Sequence, residues 1–98
     1  MPDPDIIRLL WFLLAGTRGG DNRIKILDLL LKNPLNINNI SEELKLDYKT
    51  IQHHIHILEK NNLITRMGDK YGILYFISNY MEKNIESYHN IKKKLAPH

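Results

Sequence analysis

The chain has 98 residues, 43% of them apolar and 26% charged, and it contains no cysteine. That size argues against a two-lobed enzyme, the composition excludes a disordered tail or a polytopic membrane protein, and the missing cysteine removes disulfides, thiolate metal sites and cysteine nucleophiles. Fourteen Lys and Arg against eleven Asp and Glu give a net charge of +3 and a pI near 9.2, an excess compatible with a polyanionic partner, so charge placement must decide.

One domain spanning residues 1–98 is expected, in a reducing compartment, with the cytoplasm as the default. The longest apolar run, Ile6 to Ala15 broken by Arg8, is about half of the ~20 residues that a membrane span requires. Asp3 and Asp5 precede it where a signal peptide would be basic, so neither membrane nor export is expected.

Residues 5–15 predict a short helix started by Asp5 after Pro4, and its side chains are apolar in every direction. In so small a domain one side can face the core, and a second copy of the chain is the natural cover for the other, through Leu9, Leu10 and Leu13. The alternative is a central helix buried all round within one chain. Gly16 to Gly20 break the helix and lack both phosphate-binding glycine patterns, so a tight connector is expected rather than a nucleotide loop. Asp21 then caps a second helix with Ile24, Leu27 and Leu31 at core spacing, stopped by Asn33-Pro34.

Asn36 caps a third helix of about two turns, with Ile37, Ile40 and Leu44 on one face. After Lys45-Leu46, Asp47 caps a fourth helix from Tyr48 to about Asn61, so the pair forms a helix-turn-helix. Ile51, Ile55 and Leu58 fall in one narrow arc of that fourth helix and predict its core face. Its other side carries Lys49, Thr50, Gln52, His53 and His56, mostly uncharged donors and acceptors of the kind that read base edges. Asn61-Asn62 supply a left-handed end.

Two strands are predicted, Leu63 to Met67 and Tyr71 to Ile77, joined by Gly68-Asp69-Lys70. Arg66 and Lys70 are placed near the hairpin tip, either along a DNA backbone or on a solvated turn. Residues 79–95 follow with Met81, Asn84, Tyr88, Ile91 and Leu95 at alternating spacings of three and four and Ile85 alongside. This seam is too short to associate alone and is expected to join the first helix in a dimer surface. Lys92-Lys93-Lys94 form a basic helix end, matched to the helix dipole or simply solvated.

The fold class is therefore mainly α with a β-hairpin, in the element order of a winged helix: a body at residues 21–77 between dimer helices at 5–15 and 79–95. The stretch Leu46 to Ile64 resembles the recognition-helix segment of ArsR-type repressors, which runs roughly S-x-V-S-x-H-L-x-x-L-x-x-x-G-L-V. His54 falls on the family's His, Ile55 and Leu58 on its Leu positions and Leu63-Ile64 on its Leu-Val, while Asn62 replaces the usual Gly. Gly16 to Gly20 followed by a helix also resembles the opening of small archaeal winged-helix regulators, so the likeness covers about residues 16–77. It implies a homodimeric transcription regulator that binds double-stranded DNA, with Tyr48, Lys49, Thr50, Gln52, His53 and His56 at exposed recognition positions. The family's metal sensors commonly use cysteine thiolates, and this chain has none.

His53 and His56 share a face and Glu59 extends the row, yet polar residues facing DNA explain them better than a metal site, and no cofactor is expected. His54, beside the core arc, is expected to be packed with its hydrogen bond satisfied. Glu42-Glu43 diverge by about 100° on a helix, and neither Ser41 nor Thr50 has a base and carboxylate motif around it, so enzymatic chemistry finds no support. Two rivals remain, a protein-interaction module of the same fold and a weakly specific chromatin-like protein.

Overall fold

The computed structural model describes residues 3–96. Its elements are α1 (Pro4–Trp11), a wider π-helical turn (Phe12–Gly16), α2 (Gly20–Lys32), α3 (Ile37–Leu44), α4 (Tyr48–Lys60), β1 (Ile64–Asp69), β2 (Gly72–Ile77), α5 (Asn79–Lys83) and α6 (Ile85–Leu95). The mainly helical chain with one antiparallel hairpin is a winged helix-turn-helix, as its element order predicts. Among the described residues no helix is long and apolar enough to cross a membrane.

Local chemistry sets most helix starts. The Asn36 side chain accepts from Asn39 N at 2.7 Å, Asp47 from Thr50 N at 3.3 Å, and Ser78 from Met81 N at 3.0 Å. Two starts differ from expectation. Asp3, rather than Asp5, caps α1, with Pro4 in the first turn where its missing N–H costs nothing. Gly19, rather than Asp21, precedes α2, at φ 93°. Gly20 is buried so closely on the π-turn that a Cβ there would overlap the Leu14 carbonyl. Asn62 is left-handed, as predicted, at φ 62°, and Lys45 shares that conformation at φ 56° where the chain turns between α3 and α4.

The wing differs in detail. Both strands run to a two-residue tip, Lys70-Tyr71, with Asp69 paired to Gly72, so Gly68 and Asp69 belong to β1 rather than to the loop. Arg66 lies mid-strand opposite Tyr75, not near the tip. Leu35 bonds to Tyr75 in both directions (3.1 and 2.8 Å), which ties the entry to α3 onto β2 and seats the wing against the helix-turn-helix.

The core gathers Ile6, Leu10, Ile26, Leu27, Ile40, Ile51, Leu58, Leu63 and Tyr88, all fully buried. On α2 the buried face is Arg23, Ile26, Leu27 and Leu30, one position away from the predicted Ile24, Leu27 and Leu31, and Leu31 is exposed. The dimer seam also needs correction. Leu10, Leu13, Met81, Tyr88 and Ile91 are buried inside their own chain, because α6 packs on α1 and the Tyr88 hydroxyl reaches back to Asp28 on α2 at 2.7 Å. The apolar first helix is thus covered mostly from within. Leu9 and Ile85 are half-buried and Leu95 is exposed, so these three of the eight remain at the surface. The predicted helix 79–95 is broken at Asn84, which ends α5 and precedes α6.

Candidate nucleic-acid interface

Helix α4 divides into two faces. Ile51, His54, Ile55 and Leu58 are buried, whereas Tyr48, Lys49, Gln52, His53 and His56 are exposed, with Thr50 half-buried beside the Asp47 cap. Among the described residues none of the five exposed side chains donates or accepts an intramolecular hydrogen bond, so their polar atoms face water. Glu59, which extends the row of His53 and His56, is held by Arg66.

That pairing is two-pronged: Arg66 Nε and Nη2 donate to the two Glu59 oxygens at 2.7 Å each. The contact holds the Glu59 carboxyl below its usual range and raises the Arg66 guanidinium. The guanidinium also lies 5.8 Å from the centre of the Tyr75 ring. Arg66 therefore ties the middle of the wing to the C-terminal half of α4, while Lys70 at the tip is exposed, forms no ion pair among the described residues and lies 5.1 Å from the Tyr71 ring. A groove of about 440 Å³ opens between the start of α4 and the wing, lined in part by Asn36, Asn38, Tyr48, Lys70, Tyr71 and Tyr75. The sequence-predicted residues Tyr48 and Lys70 thus meet across one concave surface.

Behind α4 lies a group that the sequence reading missed. Arg23 is 2% exposed, and among the described residues no carboxylate pairs with it. Its Nε donates to Leu13 O at 2.8 Å, Nη2 to Thr17 Oγ1 at 2.5 Å and Arg18 O at 3.0 Å, and Nη1 to His54 Nδ1 at 3.2 Å. His54 is packed and hydrogen-bonded, as expected, and it must be neutral with Nδ1 as acceptor to receive that proton. Burial first, then the charges of Arg23 and His53, lower its tendency to protonate. The signal that could have found Arg23 is its spacing of three, four and seven from Ile26, Leu27 and Leu30, a cation on an apolar stripe. Ser41, a candidate hydroxyl, donates to Leu46 O and so braces the turn between α3 and α4.

The fold has counterparts among known proteins. Residues 20–66 match the family described as bacterial regulatory protein, arsR family. HlyU from Vibrio cholerae superposes with a TM-score of 0.68 at 21% identity, covering 93% of this chain and 97% of that one. The transcriptional repressor BigR from Xylella fastidiosa gives 0.70 at 9% identity over 97% and 92%. The apo-Zalpha domain of zebrafish PKZ gives 0.60 at 17% over 64% of this chain and all 100% of its own. No curated protein matches the chain in sequence.

Proposed function

From the premise that residues 20–66 form an arsR-family helix-turn-helix segment, we propose a transcription regulator that binds double-stranded DNA sequence-specifically as a homodimer. In this reading α4 enters the major groove, the wing lies on the adjacent backbone, and the chain is not an enzyme. The observation that carries the reading is the uncommitted outer face of α4, opposite a core-facing arc that fixes its orientation. Gln52 offers an amide that pairs bidentately with adenine, Lys49 and Lys70 supply charge for phosphates, and Tyr48, Thr50, His53 and His56 complete the surface. Arg66 takes a different part from Lys70: its fork is filled by Glu59, so it positions the wing and leaves phosphate contact to the tip.

Selection from a random DNA pool, followed by affinities for the selected site, its single-base variants and random duplex at several salt concentrations, tests this. Gln52→Ala should relax one base position by roughly 1 to 3 kcal/mol. Lys70→Ala should weaken all duplexes alike and reduce the salt slope by about 0.9. Equal affinity for every duplex would favour the chromatin-like rival, and no binding at low salt the protein-interaction module. The exposed Met67 and Leu74, paired across the wing, would be that module's apolar surface. For the dimer, the predicted residues left at the surface of α1 and α6 are Leu9, Ile85 and Leu95, and Leu95→Glu should yield folded monomers in sedimentation.

A further inference from the structure

A second groove, of about 390 Å³, lies along the flank of α4 that carries His53, Ile57 and Lys60, against the π-turn and the link that follows it. Phe12, Leu13 and Ile57 make its apolar part, and Phe12 is 58% exposed. Arg18 and Lys60 stand exposed at its rim with His53, and Arg23 forms part of its wall. Among the described residues none that lines it is acidic.

Arg23 gives this asymmetry its meaning. A guanidinium removed from water normally has an anion beside it, because the desolvation penalty of an uncompensated charge is large. Here every acceptor is neutral: two backbone carbonyls, the Thr17 hydroxyl and the His54 ring nitrogen. Four of the five N–H groups of the guanidinium are used in those bonds, which leaves one Nη1–H without a partner among the described residues. Among the described residues the site holds a buried cation, two exposed cations at its mouth, an apolar floor and no counter-ion.

We propose that this groove binds a small amphipathic carboxylate, an acyl or aryl acid, as an effector. Its head group would supply the missing counter-ion among Arg18, Lys60 and Arg23, and its hydrocarbon part would cover Phe12 and Ile57. Inorganic anions lack the apolar part, and neutral apolar molecules leave the cations unpaired. The groove volume falls within the range of small-molecule sites. Resting on the DNA-binding reading above, the ligand is an antagonist of DNA binding, since it occupies His53 and Lys60 on the helix assigned to the major groove. By linkage, DNA weakens the ligand by the same factor.

Octanoate is the probe, with acetate and octan-1-ol as controls, titrated calorimetrically into the full chain without DNA and then in the presence of the selected duplex. Octanoate should bind about tenfold or more tightly than either control, the separation expected from one charge-assisted contact combined with apolar burial. Arg18→Gln and Lys60→Gln, both at exposed positions, should each weaken octanoate about tenfold with no change in melting temperature. Phe12→Ser should weaken octanoate and leave acetate unaffected. Octanoate binding no better than both controls would overturn the proposal. So would rim variants that keep octanoate affinity but lose duplex affinity and salt slope, because the rim would then be a phosphate contact. Octanoate bound as expected by a chain that binds no duplex would support the site while removing the DNA-binding reading beneath its regulatory role.

Discussion

Replacing Arg23 by Met keeps a long flexible stem in the same space while removing the charge and every donor. Four acceptors then lose their donor: Leu13 O, Arg18 O, Thr17 Oγ1 and His54 Nδ1. A buried acceptor left unsatisfied costs about 1 to 3 kcal/mol, and the desolvation penalty of the buried cation, several kcal/mol, is recovered in part against it. The balance expected is a loss of about 3 kcal/mol, a large share of the stability of a domain this size, with a fall in melting temperature of more than about 10 °C. Urea unfolding followed by far-ultraviolet circular dichroism reads it directly, with an unchanged m-value. Stability equal to or above the parent would refute the view that Arg23 joins the π-turn to α4.

The pH dependence gives an independent check. His54 takes up a proton less readily in the fold than the ordinary value of 6.5, so the unfolded chain binds more protons as the solution is acidified. The contribution of His54 to stability is therefore full above about pH 6.5, erodes as pH falls below it, and levels off once pH passes the lowered folded-state value. Burial is the main cause and the Arg23 charge the second, so Arg23→Met should make the erosion shallower without abolishing it. Equal acid sensitivity in parent and variant would separate the two residues.

Two further outcomes follow from the geometry. Gly20→Ala should destabilise by about 2 kcal/mol or more, since the new methyl meets the Leu14 backbone and no flexible side chain can yield, whereas Gly72→Ala, with nothing within 4 Å of the added carbon, should melt like the parent. Glu59→Gln should loosen the wing, seen as faster amide hydrogen exchange across β1 and β2 with the α1–α6 packing unchanged, and unchanged exchange would show that Arg66 needs no carboxylate to hold its place.

What the sequence by itself determined were the features decided within a few residues. Asn36 and Asp47 cap their helices because each accepts from a backbone N–H three residues on, and Asn62 ends the turn after α4 because its short polar side chain tolerates φ 62°. The arc of Ile51, Ile55 and Leu58 oriented α4, and with it the outward set of Tyr48, Lys49, Gln52, His53 and His56, because in a helix with one apolar stripe only that stripe can be buried. The tertiary structure decided everything that depends on a distant partner. The first helix has Asp5 and Arg8 as its charged residues and apolar side chains on most sides, and the packing of α6 and α2 shows that Leu10 and Leu13 face inward and that Met81, Tyr88 and Ile91 do too. The rotation of α2 by one position follows from the burial of Arg23, whose partner His54 lies 31 residues away. Arg66 reads as a tip cation until the register places it opposite Tyr75 and within reach of Glu59. Caps and stripes are set by neighbours along the chain, but what covers a face, or satisfies a cation, is set by groups that only folding brings together.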